Sequence, residues 1–370
     1  MGFKTVELIF KMGKFLAVTP SSTNTKNASF SQQIYILCVF VFFILASISS
    51  LIENNFFKED NPMKFTMAYI VETVLDGFNF YTMITLNFSK RSLWFDLFRN
   101  LSKKIKVESS GGKKLSGKIS FFVSNAIYGV FLGYCSCLWF THIQWSFFAR
   151  YGLRELQIYV QFFFKLLTNE ILKMFLVRYK RLNSLLKTHL SYRRRLKNIS
   201  KTIPLKLVRQ TVTHMIFLRT TQEMFNDLFG WPLLLIIAYT TVQFLNAILF
   251  MFSDVPFSPS ETFILLGGRF ATITVVTVRM ILLCDDVSRE ARKIFLQVYQ
   301  IRWLFEDASP KQRKELYELT EVVGENLPEF TAAGFFHIGR SNLLSVLETS
   351  ASFLMVVLQF SIGQNKDKHQ

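Results

Sequence analysis

Seven stretches of this chain run for about 20 residues with little or no charge, the length a helix needs to cross a bilayer core. They are Ile34–Ile52, Phe65–Phe88, Ile119–Phe140, Leu156–Val177, Leu228–Phe252, Thr262–Leu283 and Leu343–Ile362. The second and fourth are the least clean, since each holds ionisable residues. Of 370 residues, 50% are hydrophobic and 19% charged, and 41 are Phe. In a soluble chain that apolar content would be spread with a helical or strand period; here it is gathered into continuous runs. The pattern excludes a disordered chain and a small disulfide scaffold, and it argues against a soluble enzyme. The expected fold class is an all-α membrane protein with seven transmembrane helices.

The connections carry the charge. Residues 1–30, 89–118, 178–227 and 284–341 hold 4, 9, 12 and 8 Lys and Arg, whereas 53–64, 149–155, 253–261 and the tail after Ile362 hold 2, 2, 0 and 2. Cytoplasmic loops collect basic residues because moving them across the bilayer is unfavourable. The first set is therefore expected inside, with the N-terminus, and the C-terminus outside. That is the reverse of G-protein-coupled receptors. The formal net charge of +17 then reads as an inner-leaflet belt. Arg193-Arg194-Arg195 with Lys197 and Lys201 resembles a nucleic-acid patch in composition only, and no nucleic-acid partner is expected.

The first apolar run starts too far in, and is too long, for a cleavable signal peptide. Cys38, Cys135, Cys137 and Cys284 all lie within spans or at an inner end, so no disulfide is expected. Cys135 and Cys137 point about 200° apart on a helix and do not form a metal pair. The five His are scattered, and neither a metal, a cofactor nor a catalytic cluster is read from them. The sequons at Asn27, Asn87, Asn100 and Asn198 fall inside by this topology and are expected to be unglycosylated.

Between the spans, 178–227 is basic and Leu-rich. In 284–335, Ile294, Val298, Ile301, Leu304 and Phe305 recur at helical spacing. Ser309-Pro310 reads as an N-cap and first-turn proline opening a further helix through Leu316, Leu319 and Val323. These segments should prolong the fourth, fifth and sixth helices into the cytosol and pack there. Gly267-Gly268 in the sixth span predicts close helix packing.

The last span carries the most information. At 100° per residue, Ser345, Glu348, Thr349, Ser352 and Gln359 fall within about 100° of one another, with Leu347, Leu354, Val357 and Leu358 on the rest of the surface. A polar stripe on a membrane helix must turn away from lipid. It either bonds to other helices or lines water, and five positions on one face favour water. One helix cannot enclose a pore, so a pore implies a symmetric oligomer with this helix at its axis.

Ser352-Phe353, five hydrophobic residues and Gln359-Phe360 resemble the terminal signature of insect gustatory receptors, Thr-Tyr, five hydrophobic residues, Gln-Phe. Phe330-Thr-Ala-Ala-Gly334-Phe335-Phe336 with Arg340-Ser341, and Arg178-Tyr179-Lys-Arg-Leu182-Asn183, are similar to family segments before the last span and at the end of the fourth. This copy departs in carrying Ser for Thr and Phe for Tyr at the start of the signature. The resemblance implies a ligand-gated, nonselective cation channel, related to insect odorant receptors, tetrameric as a homomer or heteromer, in the plasma membrane of gustatory neurons and working without a G protein. It implies a ligand-binding unit over 1–283, a cytosolic anchor over 284–341, and a pore helix with a short tail over 342–370. Val356, Gln359 and Phe360 join the polar stripe as pore and gate residues. The ligand would be a small tastant, such as a bitter plant compound. An odorant-receptor-like channel, a subunit active only in heteromers, and a seven-span transporter are the alternatives.

Ionisable residues inside a membrane are functional candidates by default. Glu72 and Asp76 lie four apart on one face of the second span, and one of them is expected to pair with Arg269 at similar depth in the sixth. That pair would serve either packing or a polar wall of the ligand pocket. Trp139, His142 and Gln144 at the outer end of the third span, and Tyr239 and Gln243 in the fifth, are the other candidates for ligand contact. Lys165 and Glu170 lie too far apart around the fourth helix to pair, and Lys173 and Arg279 are placed to reach the inner interface.

Overall fold

The computed structural model describes residues 3–20, 29–54, 62–103, 116–142, 145–195, 203–251, 258–304 and 309–367. These form ten α-helices and one short hairpin: α1 (Phe3–Phe15), α2 (Phe30–Asn54), α3 (Pro62–Phe80), α4 (Arg91–Ser102), α5 (Ser116–His142), α6 (Trp145–Arg195), α7 (Ile203–Met251), α8 (Pro259–Leu304), α9 (Pro310–Glu325), β1 (Thr331–Ala332), β2 (Phe336–His337) and α10 (Arg340–Asp367). A helix occupies each of the seven predicted spans. By length and composition alone, windows in α2, α5 and α7 are apolar enough to cross a membrane. The other four spans carry the ionisable and polar residues considered below.

The long basic connections are continuous with the spans. α6, α7 and α8 run for 51, 49 and 46 residues. At 1.5 Å per residue, α6 is about 76 Å long, more than twice a bilayer core of about 30 Å. The periodicity read in 284–335 is realised: Ile294, Val298 and Ile301 are buried. Ser309 caps α9, its side chain accepting from Gln312 N, with Pro310 in the first turn. Of the glycine pair, Gly268 packs closely as expected, whereas a Cβ at Gly267 would meet nothing within 4 Å. A Cβ at Gly268 would lie 2.2 Å from Phe131 Cε2, so α8 and α5 cross closely there.

Three elements were not anticipated. α1 is held by Thr19, which donates to Phe10 O at 2.7 Å, and Phe10 packs edge-on against Trp94 and Phe98 of α4. Between α3 and α4 the chain widens into a π-helix, Tyr81–Ser89. Asn87 Nδ2 reaches back to Thr82 O and Met83 O, each at 3.1 Å, and to Ala17 O at 2.8 Å. One amide thus serves the widened turn and ties it to the chain after α1. The hairpin turns through Ala333 and Gly334, with φ of 51° and 80°.

The core lies where α6, α7 and the hairpin meet. Phe225 and Phe229 of α7 stack at 4.5 Å, and Phe330, before β1, sits edge-on to Phe225 and Phe175. The backbone before the hairpin is fastened to α7: Gln222 and Asn226 both donate to Glu329 O, at 2.6 and 2.8 Å, and Arg219 donates to Leu327 O at 2.7 Å. Gly230 is a true close approach, since a Cβ there would lie 3.0 Å from Ala333 N.

Candidate ligand cluster and pore helix

The expected pairing of Arg269 with Glu72 or Asp76 does not form. Arg269 Nη2 of α8 binds Glu155 Oε1 at 2.7 Å, and Glu72 of α3 binds Arg154 Nε at 2.8 Å. The reason is local. Arg154 and Glu155 are adjacent on α6, so they point about 100° apart, one toward α3 and the other toward α8. Residues that the sequence suggests are an exterior loop thus belong to α6 and supply both countercharges. The missed signal is a neighbouring Arg-Glu pair one residue before an apolar run that faces two other ionisable spans.

Asp76 turns toward α2. Ser47 Oγ donates to Asp76 Oδ1 at 2.5 Å, and Gln157 Nε2 of α6 donates to Ser47 Oγ at 3.1 Å and to Phe43 O at 3.0 Å. Asp76 and Ser47 line a cleft of about 430 Å3 between α2 and α3.

Around the Arg269–Glu155 pair, five helices converge. Tyr128 and Cys135 of α5 and Tyr239 of α7 lie within electrostatic reach of it. Tyr239 is fully buried and accepts from Gln243 Nε2 at 2.8 Å, so this predicted pair is brought together. Tyr239 packs with Val71, Leu75, Ile158 and Ile273, and Tyr128 stacks on Phe162 at 4.4 Å. Glu72, Arg269, Tyr239 and Gln243 therefore border one region, with Arg154, Glu155 and Tyr128 added by the fold. Gln144 and the side chains of Trp139 and His142 lie outside the described residues.

Lys165 is buried on α6, with Nζ 3.5 Å from Ile273 O of α8, and Glu170 pairs with Lys173. Lys173 therefore meets a carboxylate one turn back instead of reaching for the interface. Arg279 meets Ser120 Oγ at 3.4 Å.

On α10, Ser345, Glu348, Thr349, Ser352 and Val356 are all exposed on the single subunit. The Thr349 hydroxyl donates to Ser345 O one turn back at 2.9 Å. The side chains of Gln359 and Phe360 lie outside the described residues. At its start α10 is tied to α8, Arg340 Nε binding Asp285 Oδ2 at 2.9 Å. The segment after α6's spanning part is structural as well. Arg178 donates to the carbonyls of Asn100, Leu101 and Lys103, closing the end of α4. Asn183 donates to Glu290 Oε2 at 2.8 Å and accepts from Gln297 at 2.6 Å, joining α6 to α8.

Comparison with known proteins gives a consistent result. The family model of the 7tm chemosensory receptors matches residues 6–364. The structure of the insect olfactory receptor OR5 from Machilis hrabei in complex with eugenol is similar with a TM-score of 0.70 at 12% identity, covering 96% of this chain and 97% of that one. A second structure of that receptor gives a TM-score of 0.67 at 11% identity over the same shares. No curated protein sequence matches this chain.

Proposed function

Because the chain belongs to the 7tm chemosensory receptor family, we propose that it is a gustatory receptor: a tastant-gated, nonselective cation channel built from four subunits. One observation carries the channel reading. Glu348, with Ser345, Thr349 and Ser352, is exposed on the helix that the sequence reads as the seventh span, and a carboxylate within a span needs water or polar partners. Four copies of α10 around an axis give that face a water-filled lumen. Val356 lines it further out, and Gln359 and Phe360 close its outer mouth. The 33 basic residues in one set of connections against 6 in the other support an inside N-terminus and an outside C-terminus.

The ligand unit spans 1–283, the anchor 284–341 and the pore helix with its tail 342–370. Within the first, the ligand site is the cluster of Glu72, Arg154, Glu155, Arg269, Tyr128, Tyr239 and Gln243, joined by Trp139, His142 and Gln144 at its outer rim. Aromatic faces beside amides and paired charges suit a small, partly polar plant compound. The relative solved with eugenol holds a small phenol, and this favours a volatile aromatic ligand as the second reading, with the chain working as an odorant-type channel.

The test is whole-cell recording from receptor-free cells expressing this chain, alone and with other gustatory subunits, during application of bitter compounds, sugars and phenols. A ligand-evoked cation current whose conductance or gating changes in Gln359→Ala supports the proposal. A current indifferent to that substitution contradicts the gate assignment.

A further inference from the structure

Away from the ligand cluster, three aromatic rings form a run that crosses from one helix to the next and on to the hairpin. Tyr81 opens the π-helix after α3 and lies 6.4 Å from Trp231 of α7, their planes at 36°. Trp231 in turn meets Phe335, in the turn of the β1–β2 hairpin, edge-on at 6.0 Å. Both distances lie within the roughly 4.5–7 Å of favourable aromatic pairs. Trp231 and Phe335 are nonetheless 44% and 70% exposed, so the run is not core packing.

All three rings stand on irregular backbone. A π-helix is rare and often marks a functional site. Here Lys90, the residue after it, donates to the Tyr81 hydroxyl at 2.9 Å and to Asp227 O of α7. One ammonium group therefore closes the π-helix end to end and fastens it to α7. The middle of the run is a weak point of α7. Pro232 lies inside that helix and has no N–H, so it gives Leu228 O no intrahelical donor, and helices bend most sharply at proline. Gly230, where the hairpin backbone makes its close approach, is two residues earlier. In the turn, Ala333 is held at φ 51°, a left-handed conformation disfavoured for a residue with a Cβ. Backbone of this kind gathers at switch regions. α10 starts at Arg340, five residues after Phe335.

We propose that Tyr81, Trp231 and Phe335 form a mechanical link through which the π-helix after α3 sets the position of the hairpin leading into α10, with α7 bending at Gly230-Trp231-Pro232. α3 carries Glu72 of the ligand cluster, and α10 carries the polar stripe. The use of this link in gating rests on the channel reading above, and there the three aromatics are positioning residues for the pore helix. An aromatic belt at a membrane interface is the other use of exposed Trp and Tyr. The two differ measurably. Belt residues act independently, whereas the link couples Tyr81 to the hairpin through Trp231.

The test is hydrogen–deuterium exchange, read by mass spectrometry, on the full chain in phosphatidylcholine nanodiscs. The amides of Phe335 and Ile338 donate to Ala332 O and Phe330 O at 2.9 and 2.8 Å and report opening of the hairpin. Tyr81→Leu is expected to speed their exchange about fivefold, one aromatic pair's worth. Phe88→Leu removes an exposed ring of the same π-helix and is expected to leave their exchange unchanged. With Trp231→Leu already in place, adding Tyr81→Leu is expected to change nothing further; with Trp231→Phe the response to Tyr81→Leu returns. Phe335→Leu cuts the run at its other contact and is expected to abolish that response too, so the outcome does not hang on one variant. All are compared at equal monodisperse size-exclusion peaks. Unchanged exchange in Tyr81→Leu, or an equal effect of Tyr81→Leu with and without Trp231, overturns the link. Gating is read separately as ligand-free current in receptor-free cells, expected to change about twofold or more in Tyr81→Leu and not in Phe88→Leu. A link without a change in current overturns its role in gating. No current in any variant, with the link intact, counts against the channel reading alone.

Discussion

From Val160 to Leu172 every residue of α6 is buried, although that stretch contains Gln161, Lys165, Asn169 and Glu170. α10 presents the opposite case: from Leu344 to Val356 nearly every described residue is intermediate or exposed, apolar Leu347 and Met355 included. Two of the three strongly apolar windows are outermost, with 28% of the α2 window and 17% of the α5 window buried, whereas 56% of the α7 window is. In water, apolar residues are driven inward. In a bilayer that drive is absent, because lipid tails are as apolar as leucine. Polar side chains then gather at helix contacts, and apolarity marks the surface. α6 is therefore the hub of one subunit, while the face of α10 is left uncovered within it, as the proposed pore requires.

The comparison is broken most directly by truncating one residue on each helix. Phe164, fully buried against Phe78 and Phe229, is expected to cost about 3–5 kcal/mol as Phe164→Ala. Leu347→Ala is expected to cost less than about 0.5 kcal/mol in detergent-solubilised subunits. Thermal unfolding followed by size-exclusion fluorescence reads both, and equal losses would remove the distinction. Next in size is the ion pair that joins α6 to α8. Arg269→Glu is expected to cost about 3 kcal/mol by leaving Glu155 opposed by a like charge. Adding Glu155→Arg restores surface expression, whereas adding Asp76→Arg does not.

The Gly268–Phe131 crossing sharpens the picture of α5 as an outer helix. Gly268→Leu is expected to cost about 2 kcal/mol by overpacking, and Phe131→Ala in the same chain should recover most of the melting temperature. The smallest effect has the opposite sign. Among the described residues Lys165 has one long contact, to the Ile273 carbonyl at 3.5 Å, so Lys165→Met is expected to raise stability by about 1 kcal/mol. A fall would mean that this amine contributes to packing the hub.

Much of the helical architecture was legible because membrane helices announce themselves by length. Ser309-Pro310 and Gly268 were legible for local reasons, a cap and a missing Cβ. Partner choice was not. Glu72, Asp76 and Arg269 were visible as buried ionisable residues, but their partners depended on Arg154 and Glu155 belonging to α6. Which way Asp76 turns was set by Ser47, a hydroxyl indistinguishable in sequence from Ser49 or Ser50. The π-helix was hidden for a related reason. Its extra residue is accommodated by Asn87 binding back to the widened turn, and Asn87 reads in sequence only as a sequon.

The central claim is that the polar face of α10 lines water in the assembled receptor. It is tested by placing single cysteines at Ser352 and at Leu347, on opposite faces of α10, in a background where Cys38, Cys135, Cys137 and Cys284 are replaced by alanine. Receptor in intact membranes is treated with a charged, membrane-impermeant thiol reagent, and modification is read by mass shift. Modification of Ser352→Cys at least tenfold faster than of Leu347→Cys, a difference of about 1.4 kcal/mol or more in access, is the predicted result. Equal rates, or faster modification at Leu347→Cys, would contradict the pore.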